Sequence, residues 1–287
     1  MSTDTASARN DALASVGDAL AMIVSTREDE PIFLAAAKLA TAHGATVSAL
    51  LFERAPEPSE ATAVYAGLWV LTPDVPRPKP RDEMSALRRR LQRTPRRVSV
   101  RRIEVATGAD ADRAGLEARG ADITIMLQPR GGRDAALRRA IFESVLYESG
   151  RPVLLMPPGW NGLTLGKSIL IAWDGSREAT RAVADAHAIL AAAERISVFE
   201  VEVGLSRGLP AAELVARLRR AGLQCHYRSE QGSRLEVDSL LLCEAEAIGA
   251  DLIVMGGYGH ARLQEMLFGG VTRSMVRTSP VPLFVSR

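Results

Sequence analysis

The chain repeats itself, and that limits its fold more than any other feature. Gly120-Ala121-Asp122-Ile123-Thr124-Ile125-Met126 returns as Gly249-Ala250-Asp251-Leu252-Ile253-Val254-Met255. Further on, Ser149-Gly150-Arg151-Pro152-Val153-Leu154-Leu155 returns as Ser279-Pro280-Val281-Pro282-Leu283-Phe284-Val285. Two matches in the same order and nearly the same register describe a duplicated unit. At 287 residues the chain is long for one core and comfortable for two. Pro157-Pro158-Gly159-Trp160-Asn161-Gly162 interrupts both helix and strand and marks the join. The expected division is a first unit over 1–157, a linker over 158–166 and a second unit over 167–287.

Within the second unit, short apolar runs alternate with helical patterns. Strands are predicted over Ser168–Trp173, Arg195–Val203, Leu223–Ser229, Asp251–Met255 and Val281–Ser286, and helices over Glu178–Ala192, Pro210–Ala221, Leu235–Ile248 and Val271–Thr278. Strand-helix alternation of this kind demands right-handed crossovers and a parallel sheet covered on both faces. The first unit begins similarly, with strands over Ala19–Val24 and Thr46–Phe52 around a helix over Ile32–Ala42. It then departs through a Pro-rich insertion, Glu53–Pro80, which reads as a surface loop, a lid or a partner contact. A basic helix is predicted over Arg81–Arg93.

Composition closes off several classes. Hydrophobic residues make up 47% and charged residues 24%, proportions of a globular chain. No apolar run is long enough to span a bilayer, and Met1–Asn10 lacks the basic-then-apolar order of a signal peptide, so the expectation is a cytoplasmic protein without membrane contact. Cys225 and Cys243 form no CxxC pair, and both are expected in the core. The four histidines, His43, His187, His226 and His260, have no metal-ligand spacing. Eleven Lys/Arg between Arg77 and Arg102 face only Asp82 and Glu83. That segment reads first as a solvated face, because no aromatics interleave it as a single-strand nucleic-acid platform requires.

The chemistry-bearing segment is Met255-Gly256-Gly257-Tyr258-Gly259-His260, followed later by Gly269-Gly270-Val271-Thr272. Gly256 and Gly259 lie past the carboxyl end of a strand, where missing side chains let backbone N–H groups approach an anion. Gly269 and Gly270 precede a helix whose unsatisfied amides suit phosphate oxygens, and Thr272 adds a hydroxyl in its first turn. Across the crevice stands Asp174, able to accept from a ribose hydroxyl or a base amino group. His260 abuts the same loop as a further donor. Trp173 is placed either to stack on a base or to fill its place. Gly162-Leu163-Thr164-Leu165-Gly166-Lys167-Ser168 is one residue short of a Walker A loop and precedes a strand, so it is read as accidental.

The spacing of Gly256, Gly259 and Gly269, with Gly270 where a Ser or Thr is usual, resembles the G-2x-G-9x-G-(S/T) signature of the universal stress protein family, and the duplication resembles its tandem members. The resemblance implies an α/β fold of two Rossmann-like domains, each a five-stranded parallel sheet of order 3-2-1-4-5. It further implies ATP, or ADP or AMP, held by Gly256, Gly259, Gly269, Gly270, Val271 and Thr272, with Met255 near the ribose and Asp174 at the adenosine end. Mg2+ would enter only with the nucleotide. The first repeat has Leu127, Arg130 and Arg139 where the second has Gly256, Gly259 and Gly269, and reads as a scaffold or, less often, as an anion pocket built from Arg130, Arg133, Arg138 or Arg139. The implied function is nucleotide-responsive stress regulation without catalysis. The alternatives are an interaction module with a vestigial site and a slow ATP hydrolase or autophosphorylating enzyme. The two units are expected to pair through their last strands, and a homodimer is the further assembly expected.

Overall fold

A computed structural model of the chain describes residues 15–54, 83–91, 99–105, 111–204, 208–258 and 270–287. Residues 55–80 of the insertion and half of the basic segment lie outside these residues. So do Gly259, His260 and Gly269.

The first half runs β1 (Asp18–Ile23), α1 (Glu30–His43), β2 (Thr46–Arg54), α2 (Glu83–Leu91), β3 (Ser99–Val105), α3 (Asp112–Ala118), β4 (Ile123–Leu127), α4 (Ala135–Glu148) and β5 (Val153–Met156). The second runs β6 (Ser168–Trp173), α5 (Arg177–Asp185), α6 (His187–Ala191), β7 (Arg195–Glu202), α7 (Ala211–Arg220), β8 (Cys225–Gln231), α8 (Val237–Ala247), β9 (Leu252–Gly256), α9 (Val271–Thr278) and β10 (Leu283–Ser286). Local signals set the ends. Pro31 opens α1 and Gly44, at a left-handed φ of 70°, closes it. Ser176 caps α5, its Oγ accepting from the Ala179 amide at 3.0 Å. The helix expected over Glu178–Ala192 is two helices with a break at Ala186.

Each half has the strand order 3-2-1-4-5, and the halves join into one sheet, β3-β2-β1-β4-β5-β10-β9-β6-β7-β8. Neighbours within each half are parallel, whereas β5 and β10 pair antiparallel, Leu155 opposite Leu283 and Val153 opposite Val285. The sheet is therefore mixed, ten-stranded and continuous across the join. Strand alternation sorts the central residues onto two faces. Leu154 and Phe284 enter one apolar cluster with Ile23, Ile125, Ile171 and Val254. Val153, Leu155, Leu283 and Val285 enter the other, with Met126, Phe142, Ile253 and Met275. Both clusters draw on both halves, so the core does not stop at the β5–β10 seam.

Residues between β5 and β6 form neither helix nor strand, yet they are anchored to α1. The Lys38 ammonium donates to the Leu163 carbonyl at 2.7 Å, and a Cβ on Gly162 would lie 3.1 Å from the Leu34 side chain. Cys225 is buried as expected, but Cys243 is exposed, on the solvent side of α8. No helix among the described residues is long and apolar enough to cross a membrane.

Candidate functional site

At the carboxyl edge of the second half, adjacent strands β6 and β9 end on Asp174 and Gly256. Asp174 is exposed just beyond Trp173, and its Oδ1 accepts from the Ser176 amide at 2.9 Å, turning the chain into α5. One carboxylate oxygen thus shapes the loop while the other faces outward. Gly256 does a different job from the one its position suggests. A Cβ there would lie 2.5 Å from the Ala179 nitrogen and 2.7 Å from the Glu178 carbonyl carbon. Its missing side chain seats the first turn of α5 against the end of β9. Met255 is buried, with a relative exposure of 4%, within the cluster on the sheet's second face.

Beyond β9 the chain holds a strained shape. The Gly257 amide donates to the Ser286 carbonyl at 2.8 Å. Tyr258 has φ +51°, the one non-glycine residue with positive φ among those described. Its amide donates to Thr272 Oγ1 at 3.3 Å, which ties this loop to the first turn of α9. Gly270 is the residue before that helix and has no side chain with which to cap it. Amides at such a helix start suit an anionic acceptor. Thr272 is itself buried. The structure brings Asp174, Gly256, Gly270, Val271 and Thr272 to one edge of the sheet.

Two features that sequence reasoning missed border this edge. Glu178, buried beside Gly256, accepts from the exposed Arg177 guanidinium at 2.7 and 3.1 Å, so its charge is balanced by its own neighbour. The second is the closure over Trp173. That side chain is 3% exposed, and its indole N–H donates to the Leu209 carbonyl at 2.9 Å. The Leu209 amide in turn donates to the Gly175 carbonyl at 2.9 Å. A Cβ on Gly208 would lie 2.5 Å from the Gly175 carbonyl, so two glycine backbones cross in contact. Trp173 is thus enclosed by the backbone of residues 208–209.

The matching edge of the first half is closed by charge. Asp29, fully buried, accepts from the Val24 and Ser25 amides at 2.7 and 2.8 Å just past β1. Arg138, in the first turns of α4 and 3% exposed, donates to the same carboxylate and at 3.0 Å to Glu28. Burial pushes the Asp29 carboxyl above its ordinary value, against the downward pull of the Arg138 charge and of the strand-end amides. Arg130 is spent elsewhere: it donates at 2.7 Å to Gln128 and to the carbonyl of Ser279 in the other half. Burial lowers its pKa as well. The guanidiniums of Arg138 and Arg130 both serve internal acceptors. Among the described residues no group of three or more His, Cys, Asp or Glu side chains converges as a metal site.

Residues 211–287 match the family model described as the universal stress protein family. A universal stress protein of Synechocystis sp. is 26% identical over 158 residues, covering 52% of this chain and 51% of that protein. The chain thus spans about half the length of that relative. Among solved structures, a universal stress protein from Archaeoglobus fulgidus superposes with a TM-score of 0.67 at 17% identity, over 93% of this chain and 96% of that one. A protein of unknown function from Pseudomonas aeruginosa superposes with a TM-score of 0.58 at 15% identity, over 96% of this chain and 94% of the other. At these identities the superpositions speak to fold. Taken with the glycine spacing and the doubled 3-2-1-4-5 sheet, the match over 211–287 makes the C-terminal part of the chain similar to the universal stress protein family.

Proposed function

We propose that the second half binds an adenine nucleotide, ATP or its relatives ADP and AMP, and that the chain is a stress-response regulator acting through that occupancy. The observation that carries this reading is the asymmetry between the two sheet edges. In the first half, Asp29 and Arg138 close the edge with a buried ion pair. In the second, α9 opens after Gly270, which has no side chain to place over its first amides, beside a loop with the Gly256, Gly259 and Gly269 spacing. Phosphate oxygens are the natural acceptors for such amides. Asp174 would take the ribose or base end with its free carboxylate oxygen, and the Thr272 hydroxyl would remain tied to the loop. Mg2+ would arrive with the phosphates, which supply its oxygen ligands.

A second reading is favoured by the closure over Trp173. With the indole bound to the Leu209 carbonyl, the space beside β6 is filled, which suits an interaction module whose nucleotide site is vestigial. One experiment separates the two. Mass spectrometry of ligand released from the purified native chain is expected to recover an adenine nucleotide. Calorimetric titration with ATP should then give one site per chain, abolished by Gly259→Glu, which places a carboxylate among phosphates. Two equivalent sites per chain, or no uptake at all, would remove the nucleotide reading and leave the interaction module.

A further inference from the structure

Each half reaches across the β5–β10 seam with the loop that follows its fourth strand, and each rests that loop on the last helix of the other half. From the first half the contact is polar. Gln128, 1% exposed, donates its amide N–H at 3.1 Å to the carbonyl of Ser279, the residue that ends α9, and Arg130 donates to the same oxygen. From the second half the contact is aromatic. The Tyr258 ring lies 5.7 Å from that of Tyr147 and 6.3 Å from that of Phe142, both on α4 and both tilted. Arg287 covers the Tyr147 ring at 4.1 Å. A Cβ on Gly257 would lie 2.7 Å from Val285 and 3.1 Å from Leu146 of the same helix, so the absent side chain eases this close approach.

These contacts bear on α9 from both ends. Its first turn is joined to Tyr258 through Thr272, and its last carbonyl is held by Gln128 and Arg130. Tyr258 also occupies a left-handed φ that costs a non-glycine residue free energy. Such a conformation persists where surrounding contacts impose it, and here the contacts are α4 of the other half and α9. We propose that the first half is the positioning element of the second half's site, with Tyr147 and Arg130 as positioning residues that set the loop and α9 without touching ligand. This rests on the nucleotide reading above for what the site takes, and on the seam contacts alone for what holds it.

The test uses the full chain carrying Tyr147→Ala or Arg130→Ala, with Tyr147→Phe as the conservative replacement that keeps the ring. Two quantities are read: ATP affinity by calorimetry, and amide hydrogen exchange of peptides covering residues 253–258 and 271–279 without nucleotide. Tyr147→Ala and Arg130→Ala should each weaken ATP about fivefold, the size of one lost aromatic or charge-assisted contact. Both should speed exchange over 271–279 while leaving β1 and β4 protected, and Tyr147→Phe should stay within about twofold of the parent. Unchanged ATP affinity in both alanine variants overturns the proposal, as does a loss that Tyr147→Phe does not restore. If the parent chain takes no ATP, the nucleotide reading fails and exchange alone decides. Faster exchange over 271–279 then upholds the positioning role, and unchanged exchange overturns it.

Discussion

Arg138 and Asp29 show how one pair of residues can close a sheet edge. A buried guanidinium and a buried carboxylate are costly apart, and breaking such a pair by removing one partner typically costs about 3–5 kcal/mol. Arg138→Met should therefore destabilise the chain by about that amount at neutral pH, measured by urea denaturation. The pH dependence has a defined sign. Burial already holds the Asp29 carboxyl above its ordinary value, so its stabilising contribution is present below that ordinary value and lost as pH rises through the folded pKa. Without Arg138 the folded pKa climbs further, and the deficit of the variant should shrink as pH is lowered from 7 towards about 4. An equal deficit across that range would mean that Asp29 is not the group left uncompensated. Little of this pair was legible beforehand. The strand register places Val24 where the other half has Asp174, whereas the carboxylate at this strand end comes from Asp29, folded back onto the Val24 and Ser25 amides. Gly256 carries the complementary lesson. Glycine spacing marks where backbone must come close, but not to what, and the closest atom to a Cβ there belongs to α5.

At the scale of elements, the strands of the second half were legible to within two residues; four of the five are short runs rich in apolar residues bounded by glycine, proline or polar residues, and β8 is the polar exception. What the pattern missed follows from side chains that carry no phase. The alanine-rich run from Ala179 to Ala193 shows one amphipathic stripe, yet the chain breaks at Ala186, since small residues pack equally well on either side of a turn. In the first half β3 was obscured by Arg101, Arg102 and Glu104, charges an edge strand tolerates because one side of it faces water. The start of α5 offers a direct check. Ser176 accepts from the Ala179 amide, and that turn packs on Gly256 at the candidate site. Ser176→Ala should cost about 1 kcal/mol by thermal or urea denaturation. A change within about 0.3 kcal/mol would show that packing on β9, not the cap, defines the helix start.

The whole molecule is held together by a seam that neither half can satisfy alone. All four residues of β5 have no measurable exposure, and Leu283, Phe284 and Val285 are 1% exposed or less. Each strand has a parallel neighbour on one side and the opposite half on the other. Cutting the chain in the linker would leave β10 as a flat apolar edge and would strip Tyr258 of the Phe142 and Tyr147 rings. Open edges of this kind pair with whatever strand is available. The surviving outer edges are poorer partners, since β3 carries Arg101 and Arg102 and β8 carries His226, Arg228 and Glu230. A fragment of residues 158–287 should therefore self-associate through β10, antiparallel as β5 and β10 are now, and sedimentation equilibrium should show its mass doubling at micromolar concentration. Phe284→Lys, which buries a charge in the core behind the strand that forms the open edge, should return that fragment to monomer or prevent its folding. A fragment that stays monomeric and as stable as the parent chain would show that the seam is a contact between two finished domains, not a shared core.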